Sequence, residues 1–380
     1  MLVHVAFLIL VLIAFTTFVV DWGILWLSRG QAQNSADAGA LAGAIALSLD
    51  DPTDFSDTGE GKLNAFQATQ SNLVYGQPPA VNITTDITIP PSPFTACPDS
   101  APCIRVDVYR NQARGNALPI MFGTLVGLTD QGIRATATAQ IRPGNASRCL
   151  KPWAVPDKWL EVQTPVWDPL DTFDKYAKDY SIIANPDIYV RPTATDAGTS
   201  YTVAADGGTE MVLKSGNPQA AIRPGWFMPI VLTTTGGAVY RSHIPNCAGV
   251  SYKIGDTLTV EPGNMIGPTK QGTEDLMLLD PGAHWTGNGS PGSGEVAGSA
   301  FTGMSPRVVD LPVFDLDAYF AAKQGGRAEI TIVNFMGFFI DRMDGNDVVG
   351  YLLTKPLEFD PTGGVVTESA SFGKQILLVR

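Results

Sequence analysis

The sequence predicts an α+β protein with a long N-terminal transmembrane helix, a small α/β module and a larger β-rich, sandwich-like domain. Three observations support this prediction. The segment Leu2–Val20 contains no Asp, Glu, Lys or Arg. Short runs of alternating, β-branched residues recur after residue 80. The 39 Gly and 28 Pro residues favour a loop-rich β protein over a helical one. We expect the helix to comprise residues 1–50, the small module residues 51–147 and the β-rich domain residues 148–380.

The first predicted element is one helix over the first fifty residues. A run of 19 residues without Asp, Glu, Lys or Arg, at ~1.5 Å each, is roughly 28 Å long, about the thickness of one hydrocarbon core. Residues 2–20 are therefore predicted to cross the membrane. Asp21 follows the apolar run, and its carboxylate either pairs with a cation on a neighbouring helix or lies at the membrane interface. The interface is favoured, with Trp22 and Trp26 as belt aromatics.

Beyond Asp21 the helix carries small residues on one side. Gly39 and Gly43 are central to this pattern, because a side without bulky side chains lets a neighbouring helix approach closely. The small-residue stripe comprises Ala36, Gly39, Ala40, Gly43, Ala44 and Leu47. We therefore predict that the helix is a packing surface as well as an anchor, with Asp21, Gly39 and Gly43 as its candidate site residues.

The residues around this stripe resemble the N-terminal signature of the TadE/TadG-like Flp (tight adherence) pilus-assembly proteins. The resemblance is carried by Val20-Asp21-Trp22-Gly23, Leu27, Arg29 and the run QAQNSADAGALAGA from Gln31 to Ala44. The segment CLKPWAVPDKW from Cys149 to Trp159 is similar to the opening of the longer, TadG-like members.

The resemblance implies a membrane-anchored structural component of a Flp/Tad-type pilus or a related secretion system. Its helix would pack against other pilus-assembly or pilin-like subunits. The chain would cross the bacterial inner membrane once, with an exported C-terminal region. Pilin-like proteins of the type IV class use a Glu near the mature N-terminus for subunit docking. Position 5 here is Val, which favours a minor pilin-like role over that of a bulk filament subunit.

Residues 51–147 predict a small module of helices and strands. An acidic, turn-rich linker at residues 50–61 precedes a short helix at residues 62–75. Alternating residues predict strands at 81–89, 104–109 and 133–141. The uncharged run at residues 118–128 predicts a buried helix that is too short to be a second span.

Residues 148–380 predict a sandwich or barrel-like β domain. A surface helix is expected at residues 169–180 and another helix at 317–323. The clearest predicted strands lie at residues 307–314, 330–340, 348–353 and 376–379. The sequence Asp-Gly-Asn-Asp at 344–347 is typical of a hairpin turn between two of these strands.

The four cysteines are predicted to form disulfides. The four residues are Cys97, Cys103, Cys149 and Cys247, and no two of them form a C-x-x-C motif. The chain also has only three His residues, so a zinc site is not expected. Beyond an export anchor, an even number of cysteines favours disulfides. Of the three possible pairings we favour Cys97–Cys103, which closes a short Pro-rich loop, together with Cys149–Cys247.

The sequence offers no catalytic constellation. A net charge of −12 argues against a nucleic-acid partner, and neither G-x-S-x-G nor H-E-x-x-H is present. We therefore predict no enzyme activity, no cofactor and no metal. A calcium site at Asp341, Asp344 and Asp347 is less favoured than a plain turn. Core packing is favoured over a sugar-binding platform for Trp153, Trp159, Trp167, Trp226 and Trp285.

Two other functions stay open at this point. One is an exported binding module for a glycan or calcium, tethered to the inner membrane. The other is a membrane-tethered hydrolase, which would need a cluster of close carboxylates or a His–nucleophile pair.

Overall fold

A computed structural model describes residues 2–49, 54–89, 102–163, 170–216 and 221–379. It confirms the α+β class. The chain forms two compact units: Met1–Arg142 with Ile376–Arg380, and Pro143–Gln375. The sequence suggested three segments instead. The structure has two units because the second half of the first helix belongs to the core of the first unit.

The first unit consists of helices and one sheet. Its elements are α1 (Leu2–Leu49), α2 (Glu60–Ser71), β1 (Ile87–Thr88), β2 (Cys103–Arg110), the 3₁₀ helices η1 (Gln112–Arg114) and η2 (Gly123–Val126), and β3 (Ile133–Pro143). The predicted single helix over the first fifty residues is thus confirmed as α1. The last strand of the chain, β16 (Gly373–Val379), lies beside β3, so the sheet order here is β1-β2-β3-β16.

Alternation in β2 and β3 explains how this sheet packs. The strands are antiparallel, with Cys103 opposite Gln140 and Arg110 opposite Ile133. Successive side chains of a strand point to opposite faces. The buried residues Ile104, Val106, Val108, Ala135, Ala137 and Ala139 belong to one core with the alanines of α1.

Two predicted elements of the first unit are much shorter in the structure. The predicted strand at residues 81–89 is paired only at Ile87–Thr88. The predicted buried helix at residues 118–128 is wrong: only Gly123–Val126 are helical, and as a 3₁₀ turn. Pro119 lacks an N–H, and Gly127 ends the turn in the left-handed conformation at φ 83°.

The second unit contains twelve further strands among the described residues, and four helices. The strands are β4 (Ala146–Ser147), β5 (Trp153–Pro156), β6 (Glu210–Ser215), β7 (Trp226–Pro229), β8 (Tyr252–Lys253), β9 (Thr257–Thr259), β10 (His284–Trp285), β11 (Val296–Ala297), β12 (Val308–Phe314), β13 (Glu329–Asp344), β14 (Asp347–Leu353) and β15 (Lys355–Pro356). The helices are α3 (Val203–Asp206), α4 (Gly237–His243), α5 (Ile266–Met277) and α6 (Leu316–Gln324).

The main sheet of the second unit closes on itself. Its order is β12-β5-β7-β6-β14-β13-β9, and β12 also pairs with β13. Six strands therefore form a ring, and β9 extends the start of β13. Of the two predicted forms the domain has the barrel-like one, because β13 pairs with both β12 and β14 and so joins the two ends of the sheet.

Alternating residues fill this ring. Val309, Leu311 and Val313 of β12 share one core with Trp153 of β5 and Phe227 of β7. Other residues of the same strands, such as Phe314, belong to a second core on the opposite face. The predicted turn at residues 344–347 is confirmed, since Asp344 pairs with Asp347 across it.

The predicted surface helix at residues 169–180 is wrong for its described part, 170–180, which contains no helix. Tertiary hydrogen bonds replace the helical ones there. The N–H of Phe173 donates to Ile222 O at 2.9 Å, and the N–H of Asp174 donates to Asp187 Oδ2 at 2.6 Å.

Candidate functional site

The helix α1 is divided into two halves by its exposure. From Val3 to Val19 the described side chains are exposed, and the large apolar ones are between 41% and 80% exposed. By length and composition this helix can cross a membrane. From Ala32 onwards one side of the helix is fully buried: Ala32, Ala36, Ala40 and Ala44 follow one another at a spacing of four residues.

The small-residue stripe packs against α2 of the same chain. A Cβ added at Gly39 would lie 2.1 Å from Thr69 Oγ1 and 3.0 Å from Ala65 O. A Cβ added at Gly43 would lie 2.7 Å from Gly61 O and 2.8 Å from Ala65 Cβ. The close helix approach expected from the sequence therefore exists, and the helix that approaches is the chain's own.

The polar residues of the same stretch also bind within the first unit. Gln31 Oε1 accepts the N–H of Tyr75 at 2.7 Å. Gln33 Nε2 donates to Asp37 Oδ1 at 2.8 Å and to Thr136 O at 3.1 Å. The hydroxyl of Ser35 donates to Thr69 O at 2.9 Å. Sequence reasoning missed these roles, although the repeated Gln residues inside an otherwise Ala- and Gly-rich run were a usable signal.

Asp21 is the first buried residue after the exposed half of α1, although exposed residues such as Trp22 and Trp26 follow it. Its carboxylate accepts backbone N–H groups from Met121 at 2.8 Å, Phe122 at 3.1 Å and Gly123 at 2.5 Å. The side chain is only 6% exposed. Three peptide N–H groups at the start of η2 thus satisfy the buried charge, as at a capped helix N-terminus. The sequence alternatives for Asp21, a cation on another helix or the interface, did not include this internal partner.

The structure shows one of the two predicted disulfides in full. The predicted disulfide between Cys149 and Cys247 is confirmed, with a Cα–Cα distance of 4.5 Å across 98 residues. Cys103 is disulfide-bonded. Its predicted partner, Cys97, lies outside the described residues, so that pairing stays a prediction.

Acidic residues at the tip of the β13–β14 hairpin have partners of their own. Asp341 Oδ1 accepts the N–H of Trp285 at 3.1 Å, and Asp341 Oδ2 pairs with Arg342 at 3.1 Å. Asp347 pairs with Lys214 at 3.5 Å. In the described ranges, no group of three or more His, Cys, Asp or Glu side chains is arranged to hold a metal ion.

The tryptophans of the second unit are distributed between core and periphery. Trp153 and Trp159 are buried, while Trp226 and Trp285 are partly exposed. Trp285 stacks on Tyr351 with ring centroids 4.8 Å apart. Trp167 lies outside the described residues. Core packing, which the sequence favoured for all the tryptophans, therefore applies to Trp153 and Trp159 among the four described rings, and Trp285 packs against another aromatic ring.

The side chain of Asp157 in the second unit is completely buried. Asp157 accepts the hydroxyl of Ser200 at 2.6 Å, the hydroxyl of Tyr189 at 3.2 Å and the N–H of Lys158 at 2.9 Å. Burial raises the pKa of Asp157 from its ordinary 3.8 to about 7, against the opposing effect of these hydrogen bonds. Its polar contacts all lie within the fold, so we interpret it as a structural group.

The first helix is similar to a known protein family. Residues 2–46 match the model of the TadE/G-like Flp pilus-assembly family. No curated protein and no solved structure matches the chain. The matched residues include both the exposed half of α1 and the stripe, and they confirm the resemblance seen in the sequence. The chain therefore carries a TadE/G-like Flp pilus-assembly domain at its N-terminus, which supports a role related to the assembly of Flp/Tad pili.

Proposed function

We propose that this protein is a membrane-anchored, minor pilin-like structural component of a Flp/Tad-type pilus or a related secretion system. Residues 2–20 lie in the bacterial inner membrane, and the rest of the chain is on the exported side. The protein acts by presenting its folded units there rather than by catalysis.

The division of α1 carries this proposal. Its second half is occupied by α2 and by the sheet of the first unit. Its first half has exposed apolar side chains from Val3 to Val19. Apolar surface of that length is suited to lipid and to the helices of other membrane-embedded subunits. Contacts with other subunits are therefore assigned to residues 3–19, and the stripe holds the first unit on the helix.

The disulfide supports the exported orientation. Disulfides persist in oxidising compartments such as the periplasm and are rare in the cytosol. The bond between Cys149 and Cys247 lies in the second unit, which supports an oxidising compartment for this unit.

Two experiments test the proposal in the native host. In the first, the gene is deleted and restored, and surface fibres are counted by electron microscopy and measured in a sheared fraction. We expect fewer fibres in the deletion strain and normal numbers after restoration. Unchanged fibre numbers in the deletion strain would contradict an assembly role, as would a genome without a secretion ATPase and prepilin peptidase.

The second experiment finds the contacts of the helix. A photo-crosslinking amino acid replaces Phe7 or Val11 in the exposed half of α1, and Leu73 in the first unit serves as the exposed apolar control. Crosslinks from positions 7 and 11 to other pilus-assembly subunits are expected. If only position 73 gave protein adducts, the assignment of partner contacts to the apolar half would be wrong.

A further inference from the structure

A second apolar element lies beside the point where the exposed half of α1 ends. We name residues 118–128 the apolar loop. The N–H of Leu118 donates to Gln131 O at 3.1 Å and closes the base of this loop. The sequence from Gly115 to Thr129 contains no charged residue. A surface loop of this length without a charge is unusual in a protein that meets only water.

Asp21 fixes this loop to α1. Its carboxylate accepts the three consecutive N–H groups of Met121, Phe122 and Gly123. The packing is tight: a Cβ at Gly123 would lie 2.8 Å from Ile120 Cγ2, 2.9 Å from Leu128 Cδ1 and 3.0 Å from Asp21 Oδ2. The loop therefore lies at a fixed height along the helix, one residue beyond the predicted span.

Much of the apolar surface at this height is exposed. Met121 is 58% exposed and Leu128 is 53% exposed, although both belong to a loop with hydrogen bonds to a buried carboxylate. On α1, Trp22 and Trp26 are also exposed. Scattered exposed apolar residues need no explanation, but a loop that continues the lipid-facing surface of a membrane helix does. Tryptophans at the end of a span are typical of the level of the lipid headgroups.

We propose that the apolar loop is a second membrane contact, which inserts Met121 and Leu128 into the boundary between headgroups and acyl chains. Asp21 is the positioning residue that sets its depth. The occupant is lipid because the loop is uncharged, continues the exposed apolar surface of α1 and lies at the level of Trp22. This inference rests on α1 spanning the membrane. It adds a device that fixes the height of the first unit above the bilayer.

The test uses nitroxide labels on the full chain in vesicles of phosphatidylcholine and phosphatidylglycerol. Labels are attached at introduced cysteines, M121C and L128C, without reducing agent. L73C is the control, since Leu73 is an exposed apolar residue of the first unit. It lies two residues before Tyr75, which contacts Gln31, ten residues beyond Asp21 along α1. A label at position 73 is therefore expected further from the membrane than the apolar loop. L10C reports on the anchor itself. Accessibility to oxygen, which concentrates in lipid, is compared with accessibility to a water-soluble nickel chelate.

We expect labels at positions 121 and 128 to be several-fold more accessible to oxygen than to nickel, and the label at position 73 to show the opposite. Nickel accessibility at 121 and 128 equal to that at 73, with position 10 in lipid, would overturn this inference and leave the anchor intact. Shielding of 121 and 128 from both reagents would indicate a protein partner and would also overturn it. An aqueous label at position 10 would refute the membrane anchor and the proposed function with it.

A second variant tests the role of Asp21. Asp21→Leu removes the acceptor of three N–H groups, so the loop is expected to detach from α1. The label at position 121 should then become several-fold more accessible to nickel and more mobile, while the label at position 10 should not change. An unchanged label at position 121 would show that the loop holds its depth without Asp21.

Discussion

The packing of Gly43 against α2 gives the sharpest prediction. A Cβ at this position would lie 2.7 Å from Gly61 O, 2.7 Å from Ile104 Cδ1 and 2.8 Å from Ala65 Cβ, closer than real Cβ contacts. Gly43→Leu would therefore push α2 away from α1. Overpacking costs about 1–3 kcal/mol, and three more carbons beyond Cβ place this variant at the upper end. The gain in helix propensity returns at most about 1 kcal/mol.

We therefore expect Gly43→Leu to lower the free energy that holds α2 on α1 by about 2 kcal/mol, which corresponds to a roughly 30-fold larger equilibrium constant for opening. The assay is hydrogen exchange of the α2 amides in the detergent-solubilised full chain. Gly30→Leu is the matched control, because nothing lies within 4 Å of a Cβ at Gly30 on the same helix. Equal exchange of α2 in the two variants would refute the packing argument.

This prediction also determines how assembly phenotypes should be interpreted. If Gly39→Leu or Gly43→Leu abolished pilus assembly, loss of the α1–α2 contact would be the first explanation. A contact with another subunit would need a variant that keeps normal hydrogen exchange in α2 and still fails to assemble.

Three further outcomes are expected. Because the folded pKa of Asp157 is about 7 and its ordinary value is 3.8, folding binds a proton between these values, so this group's stabilising effect is complete below pH 4 and is lost as the pH rises to 7. Between pH 5 and 8 the loss in the free energy of unfolding is roughly 2–3 kcal/mol. In urea unfolding, the free energy of Asp157→Asn should therefore depend less on pH than that of the wild type. An equal pH dependence in the two proteins would contradict this expectation. Removing the Cys149–Cys247 bond in the double Ala variant should cost about 2–4 kcal/mol, measured by the urea midpoint of the second unit, and an unchanged midpoint would exclude this contribution. Ser35→Ala removes the donor to Thr69 O and should cost about 1 kcal/mol, so an unfolding midpoint equal to that of the wild type would show the bond to be dispensable.

Local patterns predicted those parts of the fold that depend on neighbours in sequence. The absence of charges in Leu2–Val20 and the small residues that follow Asp21 were enough to predict α1. The alternation in IRVDVY and IRATATAQI predicted β2 and β3, and Asp-Gly predicted the hairpin between β13 and β14. In each case the deciding residues lie within about one element of one another.

Features that depend on residues far apart in the sequence could not be predicted from local patterns. The carboxylate of Asp21 accepts hydrogen bonds from N–H groups about 100 residues further along the chain, and no residue near Asp21 in the sequence indicates this partner. The stripe showed that a helix would approach Gly39 and Gly43, but small residues suit a helix of the same chain as well as one of another. Closure of the sheet into a ring depends on the length of β13 and on its pairing with β12, which no local pattern encodes.

The return of β16 to the first unit affects the order in which the protein is completed. Residues 376–380 belong to the same unit as α1, so the whole second unit is inserted between two strands of one sheet. The part nearest the anchor is synthesised first, yet it receives the strand β16 only after the whole second unit has been synthesised. A chain that stops early would leave the edge of β3 unpaired, and an open strand edge invites aggregation. Completion of the anchor unit thus distinguishes copies that contain the whole second unit from copies truncated within it.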